Sequence, residues 1–354
     1  LHARAGAGGI CDLQRGNGKG KGLAVGKVLT IAMPCYNVER YLRRGLDSLA
    51  DERLADDVEV IVVDDGSTDE TARIAQGYVE RMPQLFRLVS KENGGHGSAV
   101  NAGIDHAQGR YFRVVDGDDW VDTDGLVRVV ELLKASDVDL FVDEKVEVDM
   151  TTHARTHCHL PAGFRLPGVV DFLSVCGDGA CEAFLTIHTL SVKTELLRHN
   201  NIHLHEGIFY VDLQYVVTAT CYAATVQFAP VEVYQYLLGN AEQSVAFASY
   251  AKRYEDHAAM VRDILAFADE GRFQGPIAQY LDNRVRLALH THFNIALIYD
   301  EDRARGMRRA KAFYSWLASS HPRFERMVRS RYRKTLALHY LGVDGPRLAK
   351  MMGR

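Results

Sequence analysis

The sequence predicts an α/β protein built on a mostly parallel β-sheet, and two patterns lead to this class. Short apolar runs alternate with amphipathic stretches over residues 28–142, and a polar motif follows each of the first four apolar runs. Strands that alternate with helices of about 10 to 15 residues form βαβ units, in which the strands are parallel. We therefore expect a sheet flanked by helices, followed by a region that is helical throughout.

The hydrophobic pattern gives each element in turn. The predicted strands cover residues 28–33, 58–63, 86–89, 111–115 and 140–142, and the predicted helices cover residues 39–49, 68–80, 98–107 and 123–135. After residue 150 the alternation weakens, and the histidine-rich stretch 153–159 is expected to form an irregular loop. After residue 250 Val285, Leu289 and Phe293 recur at a helical period, which predicts a helical region.

Composition divides the chain into three predicted parts. Residues 1–26 contain eight glycines and no apolar period, which indicates a flexible leader. Residues 27–248 form the predicted α/β domain, and residues 249–354 form the helical, basic C-terminal region. The chain has 354 residues, of which 47% are hydrophobic, so it is long enough to bury a large core.

Cysteine usage and hydropathy indicate the cellular compartment. Six irregularly spaced cysteines argue against a disulfide scaffold and favour reduced thiols. No run approaches the roughly 18 apolar residues of a membrane-spanning helix, and the start lacks a hydrophobic signal segment. We therefore expect a cytoplasmic protein.

Charge is distributed unevenly along the chain. Residues 303–354 carry 14 Lys and Arg against 2 Asp and Glu, so this segment has a net charge of +12 and the remainder −16. Aromatic and apolar residues are interleaved with the positive charges: Phe313, Tyr314, Trp316, Leu317, Phe324, Tyr332 and Tyr340. Two interpretations remain open, a solvated helical face or peripheral contact with an anionic membrane. Nothing indicates a nucleic-acid partner.

Four polar motifs follow the first four predicted strands. They are MPCYN (33–37), DDGSTD (64–69), ENGGHGSA (92–99) and DGDD (116–119). The carboxyl ends of parallel strands meet at one edge of a sheet, and ligands bind beyond that edge. The four motifs are therefore expected to converge on one site.

Two of these motifs point to specific chemistry. Asp116, Asp118 and Asp119 follow a buried strand and repel one another unless a cation compensates them, which predicts a divalent metal. The glycine run 93–98 precedes a predicted helix, so its amides can cradle phosphate oxygens or form a turn with no ligand. Asp64 and Asp65 can equally form the N-terminal turn of the next helix, with Ser67 or Thr68 as its cap.

A zinc site is an open alternative for the middle of the chain. Its possible ligands are His153, His157, Cys158, His159, Cys176 and Cys181. Their spacing matches no familiar zinc module, so buried cysteines and a loop are the preferred interpretation.

Taken together, the motifs resemble the family-2 glycosyltransferases of the GT-A fold, in particular the bacterial type that builds cell-surface polysaccharides. The resemblance rests on TIAMPCYNVERYLRRGLDSL, VEVIVVDDGSTDETARIA and NGGHGSAVNAGIDHAQGRYFRVVDGDDWVD, and continues more weakly at 192–215 and 234–245. It implies a Rossmann-like sheet whose half 27–145 binds the nucleotide sugar and whose half 146–248 binds the acceptor.

The resemblance also implies roles for single residues. Pro34 and Tyr36 would line the base pocket, Asp65 would accept a hydrogen bond from the base, and Asp119 and Trp120 would face the sugar, although Trp120 is equally compatible with core packing. Asp116 and Asp118 match the family's DxD motif, which holds Mn²⁺ or Mg²⁺ against the donor diphosphate. The full donor-binding set is Pro34, Tyr36, Asp65, Asn93, Gly94, Gly95, His96, Asp116, Gly117 and Asp119.

The sequence departs from the family pattern at Val100, and it offers two candidates for the general base. Many relatives carry an arginine where this chain has Val100 before Asn101, and His96 is a candidate substitute for that diphosphate contact. The family's acceptor-side acid corresponds to Asp212 in YVDLQY, which would act as the general base, with Glu206 as its rival. An acid at the start of a helix is also a common structural feature, which is the other interpretation of Asp212.

These expectations amount to an inverting, metal-dependent glycosyltransferase. It would move a hexose or N-acetylhexosamine from a nucleotide diphosphate, expected to be UDP, onto a cell-surface glycan or lipid-linked acceptor at the inner face of the plasma membrane. A sugar-phosphate nucleotidyltransferase and a catalytically inactive nucleotide- or glycan-binding protein are the alternatives.

Overall fold

The structure is a computed structural model that describes residues 26–165, 168–239 and 247–351. The predicted leader lies outside the described residues except for Gly26, and so do residues 240–245 of the segment 234–245 that contributed to the family resemblance.

A ten-stranded sheet organises the first two thirds of the chain, in the order β3-β2-β1-β4-β9-β6-β10-β5, with β7 paired to β6 and β8 to β10. The strands β1 to β4 pair in parallel, and β9 joins them to the second half through antiparallel pairs. The strands are β1 Leu29–Cys35, β2 Val58–Asp64, β3 Phe86–Ser90, β4 Tyr111–Val114, β5 Trp120–Val121, β6 Leu140–Asp149, β7 Arg155–Cys158, β8 Val169–Asp171, β9 Leu190–Lys193 and β10 Thr225–Leu238.

Helices cover both faces of the sheet and form the C-terminal region. They are α1 Glu39–Leu49, α2 Thr71–Arg81, α3 Gly95–His106, α4 Thr123–Lys134, α5 Gly179–Phe184, α6 Thr194–His199, α7 Val211–Thr220, α8 Phe247–Lys252, α9 Tyr254–Asp269, α10 Gly275–Asn294, α11 Arg303–Ser320, α12 Pro322–Tyr340 and α13 Gly345–Met351. A π-helical turn, Ile295–Tyr299, follows α10.

The two faces of the sheet carry separate apolar clusters because successive side chains of a strand point to opposite faces. In β1, Leu29, Ile31 and Met33 pack with the helices α1, α2 and α4. Ala32, from the same strand, packs with α3 and with the C-terminal helices. The C-terminal region is thus an extension of one face of the sheet.

The predicted α/β class is confirmed, and three local predictions are wrong. The helix predicted from residue 68 begins at Thr71, and neither Ser67 nor Thr68 caps it, since the backbone N–H of Thr71 donates to Asp69. The glycine run belongs to the first turn of α3, which begins at Gly95. The histidine-rich stretch is not an irregular loop, because most of it forms β7.

The C-terminal helices bury most of their aromatic residues and expose their charges. Phe313, Phe324 and Tyr332 are buried among the helices, whereas Tyr340 is 70% exposed. Residues 326, 329, 333 and 334 of α12 are exposed and line a shallow basic groove of about 470 Å³. Among the described residues, no helix combines the length and the apolar character needed to span a bilayer.

Candidate active site

The site lies at the carboxyl edge of the parallel strands, where the polar motifs converge as predicted. The backbone at Asn37 adopts a positive φ of 53°, and this turn after β1 is tied to the turn after β2. Asn37 Oδ1 accepts from the Thr68 N–H at 2.8 Å, and the Asn37 N–H donates to Ser67 Oγ at 3.1 Å. These bonds fix two of the four motifs relative to each other.

Asp116 is the centre of the acidic cluster that follows β4. Its Oδ1 lies 2.9 Å from His96 Nε2, and its Oδ2 lies 3.7 Å from His188 Nε2. The Tyr234 hydroxyl is 3.3 Å from the same Oδ2. Although burial raises the pKa of Asp116, the hydrogen bonds and charges of the two histidines lower it by more, so the net shift is well below the usual range. Asp116 is therefore a permanent anion.

The two aspartates that follow differ from each other in their surroundings. Burial and the negative charge of Asp116 raise the pKa of Asp118 to about 6. Asp119 is only 1% exposed, and its oxygens accept from the Tyr234 hydroxyl at 2.7 Å and from the Leu237 N–H at 2.8 Å. Asp118 faces the cleft, whereas Asp119 ties the acidic loop to β10, a placement that argues against the predicted contact of Asp119 with the donor.

His96 connects the acidic cluster to Asp212 at the start of α7. Its Nδ1 lies 3.7 Å from Asp212 Oδ1, while its Nε2 bonds to Asp116. Burial lowers the pKa of His96, but the hydrogen bond to Asp116 and the charges of Asp116 and Asp212 raise it by more, to about 9. A positive imidazolium thus stands between two carboxylates.

Asp212 lies in the first turn of α7 and is 53% exposed to the cleft. The surrounding protein raises its pKa through burial, and the charge of Asp116 adds to this effect against the opposing charge of His96. Tyr210, just before the helix, has a positive φ of 70°, which is uncommon for a bulky residue. The chain turns sharply there and presents Asp212 to the cleft.

The glycine run does not form the predicted phosphate cradle. The N–H groups of Gly94 and Gly95 donate to the carboxylate of Asp65 at 3.0 and 2.7 Å, and the side chain of Asn93 donates to the Asp65 backbone oxygen at 2.9 Å. Lys91 pairs with the same carboxylate at 2.9 Å. Asp65 is only 2% exposed, so it binds the protein's own amides and has little surface left for a base.

The glycines allow the segment that carries Glu206 to approach closely. A side chain at Gly97 would overlap the carbonyl oxygen of His205, and the Gly207 N–H donates to the Gly94 carbonyl at 2.5 Å. Asn101 completes this contact, since its side chain binds both the N–H and the carbonyl of Leu204 at 2.8 and 3.0 Å. The motif therefore joins the two halves of the α/β domain.

Glu206 is bonded to this contact, although its side chain is 49% exposed. Asn101 donates to its carboxylate at 3.3 Å. Burial raises the pKa of Glu206, but the bonds from Asn101 and Ser98 lower it by more. Val100, at the position where many relatives carry arginine, is fully buried.

The remaining predicted donor-binding residues differ in their access to the cleft. Tyr36 is 51% exposed, whereas Pro34 is buried inside β1, where its carbonyl accepts from the Gly117 N–H at 3.2 Å. A side chain at Gly117 would come within 2.9 Å of Cys35 Sγ. Gly117 is thus required by packing, and Trp120 is stacked under Arg44 at 3.5 Å.

His188 is a site residue that the sequence did not reveal. It precedes β9, its ring stacks on Tyr236 at 4.5 Å, and its carbonyl accepts from the guanidinium of Arg113 at 2.6 Å. Arg113 and Asp143 form a fully buried ion pair beneath the site. The only signal in the sequence was a charged residue, Arg113, inside an apolar strand.

Comparison with known proteins decides the family. The sequence profile described as Glycosyl transferase family 2 matches residues 30–185, which contain the four motifs and the acidic cluster. The chain carries a family-2 glycosyltransferase domain of the GT-A fold.

Curated relatives match the same region of this chain. An uncharacterized glycosyltransferase EpsJ of Bacillus subtilis is 37% identical over 113 residues, which are 32% of this chain and 32% of EpsJ. The glycosyltransferase GlyA of Streptococcus pneumoniae is 38% identical over 96 residues, 27% of this chain and 14% of GlyA. The minor teichoic acid biosynthesis protein GgaB of B. subtilis is 36% identical over 93 residues, 26% of this chain and 10% of GgaB. The matches span a third or less of these relatives.

Solved structures resemble this chain over most of its length. TarS of S. aureus (residues 1–349), in complex with UDP-GlcNAc, has a TM-score of 0.65 at 20% identity and covers 92% of both chains. The mannosyltransferase PcManGT of Pyrobaculum calidifontis, in complex with GDP-Man and Mn²⁺, has a TM-score of 0.51 at 18% identity, covering 89% of this chain and 84% of its own. At these identities the likeness concerns the fold.

The acidic cluster fits a divalent metal. Ligand atoms of Asp116, Asp119 and His188 lie within 4.8 Å of one another. Asp119 is almost fully buried, whereas Asp116 and His188 are partly exposed, so these two side chains are the more accessible ligands. Carboxylate oxygens suit Mg²⁺ and Mn²⁺, and an imidazole nitrogen shifts the preference toward Mn²⁺. Asp118, the other predicted ligand, is not part of this group, so the pair Asp116 and Asp118 stays a prediction.

The alternative zinc set is not assembled as a whole. Cys176 and Cys181 are buried in the apolar core of the glycosyltransferase, and His153 is exposed in a turn. His157 and His159 lie together beside Glu232 instead. The cysteines and these histidines therefore do not share one site.

Proposed function

We propose that this glycosyltransferase transfers a sugar from a UDP-sugar to an acceptor hydroxyl with inversion at the anomeric carbon, assisted by Mn²⁺ or Mg²⁺. The observation that carries the proposal is the continuous array of Asp116, His96 and Asp212 across the cleft. It connects the carboxylate suited to a metal–diphosphate to a carboxylate on the acceptor side.

Two findings support a UDP-sugar as the donor substrate. TarS, whose fold this chain shares, is described in complexes with UDP-GlcNAc and with UDP. Tyr36 offers an exposed aromatic ring at the end of β1, and it is the predicted base-pocket residue with access to the cleft. We infer a UDP-linked hexose or N-acetylhexosamine, with Tyr36 beside the base and Asp116, Asp118 and His188 toward the diphosphate.

Electrostatics support a metal at the diphosphate end. Burial raises the pKa of Asp118 and repulsion from Asp116 raises it further, and a cation between the two carboxylates would offset this repulsion. A bound Mn²⁺ or Mg²⁺ would neutralise the developing charge on the departing diphosphate. His96, which is positive at neutral pH, stands beside Asp116 and takes the place of the arginine that is absent at Val100.

Asp212 is the better of the two candidates for the general base. Its raised pKa and its exposure to the cleft suit a group that accepts a proton from the acceptor hydroxyl. Glu206 has a lowered pKa and is bonded to Asn101, so it stabilises the contact between the halves. His96 positions Asp212 through their shared charge interaction.

The acceptor is proposed to be a cell-surface glycan or a lipid-linked precursor. A relative in the comparison, GgaB, is described as a minor teichoic acid biosynthesis protein. We also propose that the basic face of α12 contacts an anionic membrane surface from the cytoplasmic side. The buried aromatic residues give no support to this contact, so it rests on charge alone.

Two alternative functions remain to be weighed, a sugar-phosphate nucleotidyltransferase and a catalytically inactive binding protein. Family membership favours sugar transfer over the nucleotidyltransferase alternative. Measuring hydrolysis and transfer across a panel of UDP-, GDP- and TDP-sugars, with Mn²⁺, Mg²⁺ or EDTA, tests the proposal. We expect metal-dependent release of UDP from one or two UDP-sugars. Binding without any turnover would favour the inactive binding protein, and turnover that EDTA leaves unchanged would contradict the metal.

A further inference from the structure

A second cluster of metal-ligating side chains lies on the sheet away from the acidic loop. His157 and His159 are two residues apart, at and just after the end of β7, and their rings stack at 5.8 Å with an interplanar angle of 19°. Glu232 reaches them from β10 on the other side of β6, at a point where the β6–β10 register shifts. Three strands thus bring two imidazoles and a carboxylate together.

The distances within this cluster are those of a loosely closed coordination site. Glu232 Oε1 lies 2.6 Å from His157 Nδ1 and 3.6 Å from His159 Nδ1, and ligand atoms of all three residues lie within 4.8 Å of one another. Tetrahedral zinc with bonds of about 2.0 to 2.2 Å places its ligand atoms about 3.4 Å apart. His157 Nδ1 would need to move away from Glu232 by less than about 1 Å, which two partly exposed side chains can do. Because Glu144 holds Nδ1 of His159 at 2.9 Å, that ring would offer its Nε2 to the ion.

The charges around Glu232 are incompletely balanced. Within the described residues, its ion-pair partners are His157 and His159, which carry a charge only when protonated. Glu144, which is buried, pairs with Arg165 at 3.1 Å and holds the His159 ring through a 2.9 Å contact to Nδ1. Among the described residues no Lys or Arg pairs with Glu232, although Arg128 and Arg165 line the same groove, so a divalent cation would supply a closer positive partner.

We propose that His157, His159 and Glu232 bind a divalent transition metal, with Zn²⁺ as the best match. Two imidazoles and one carboxylate are a ligand set that zinc prefers, whereas Mg²⁺ prefers oxygen ligands alone. The side chains of the two histidines are 47% and 52% exposed, which leaves an entry path and room for a water as the fourth ligand. The ion joins β7 to β10 across β6 and restrains the strand that carries Tyr234 of the active site.

The test counts bound zinc in the full chain after metal removal with EDTA and dialysis. Calorimetric titration with Zn²⁺ at pH 7 should show one equivalent fewer for His157→Gln/His159→Gln than for the wild type. Cys158→Ser is the matched control, because Cys158 lies between the two histidines and points to the opposite face of β7; it should retain the wild-type stoichiometry. Co²⁺ should give a visible spectrum without thiolate charge-transfer bands.

Three results would overturn the site. They are an unchanged stoichiometry in the double variant, the loss of the same equivalent in Cys158→Ser, and thiolate bands in the Co²⁺ spectrum. If the double variant does not fold, Glu232→Gln gives the same count with both histidines in place. Zn²⁺ should also raise the thermal unfolding midpoint of the wild type by more than that of either variant, and equal shifts would contradict the proposal.

Discussion

The carboxyl edge of the sheet and the C-terminal helical region both bury titratable groups. At the sheet edge these groups are charged, whereas among the helices they are neutral. At the edge, Asp116, Asp118 and Asp212 collect negative charge around one imidazolium. Among the helices, burial lowers the pKa of His257 to about 4 and that of His292 well below its usual value, so both stay neutral. Carboxylates close together repel one another and lower the stability of the fold, which is typical of a ligand-binding site. Neutral buried histidines instead contribute to the packing of the helices.

The largest effect should come from the acceptor side of the edge. Asp212→Asn removes the proposed base and should lower turnover by about two to four orders of magnitude while UDP affinity stays the same. Steady-state kinetics and UDP calorimetry measure the two quantities. Glu206→Gln is the matched comparison and should lose far less turnover; the reverse ranking would move the base to Glu206.

The contact between the halves of the α/β domain depends on Gly97. Gly97→Ala would push the new Cβ into the backbone oxygen of His205 and should cost about 3 kcal/mol of unfolding free energy. Gly77→Ala is the control, because Gly77 lies in α2 with nothing within 4 Å and should gain about 0.5 to 1 kcal/mol. Urea unfolding of both variants measures these changes. If Gly97→Ala were as stable as the wild type, the close approach of Gly97 to His205 would be unimportant for stability.

The helical region should be sensitive to acid. The pKa of His257 is lower in the folded protein than in the unfolded chain, so the unfolded chain binds more protons and stability falls as the pH drops below 6.5 toward 4. At pH 5 this histidine alone costs about 2 kcal/mol relative to neutral pH. His257→Leu should therefore flatten the dependence of unfolding free energy on pH, whatever its absolute stability. An unchanged slope would contradict the neutral buried state.

The smallest effect concerns the outer surface of the helical region. Each Lys or Arg near an anionic leaflet contributes about 1 kcal/mol, so the basic face of α12 should give weak, salt-sensitive binding to phosphatidylglycerol vesicles. Reversal of Arg326, Arg333 and Lys334 to Glu should abolish co-sedimentation. The same reversal at the exposed Arg40, Arg43 and Arg128 is the control, and loss of binding in both variants would show that only net charge matters.

The sequence predicted the parallel half of the fold closely because its strands are continuous apolar runs between clear turn signals. It missed β10, in which Pro230 interrupts the pattern; a bulge between Phe228 and Glu232 accommodates the proline. It predicted a phosphate-binding role for the amides of Gly94 and Gly95, since the sequence could not show that Asp65 would bind them. His188 was missed because it reaches the site from a loop distant in sequence.

The orientation of the aromatic residues in the C-terminal region is another feature that the sequence could not predict. Phe313, Phe324 and Tyr332 alternate with arginines in the sequence, a pattern compatible with a membrane surface. The structure separates the two sets on opposite faces, the rings inward against α10 and the guanidinium groups outward. Composition alone could not show that the aromatic rings point into the core and the arginines point to solvent.

The most direct test of the account is whether a metal couples the acidic cluster to the nucleotide. Calorimetry should show that Mn²⁺ strengthens UDP binding to the wild type at least about tenfold, or about 1.4 kcal/mol. Asp118→Ala should lose that gain, and the exposed Asp105→Ala should keep it. Equal UDP affinity with and without Mn²⁺ in the wild type would contradict the metal-dependent site.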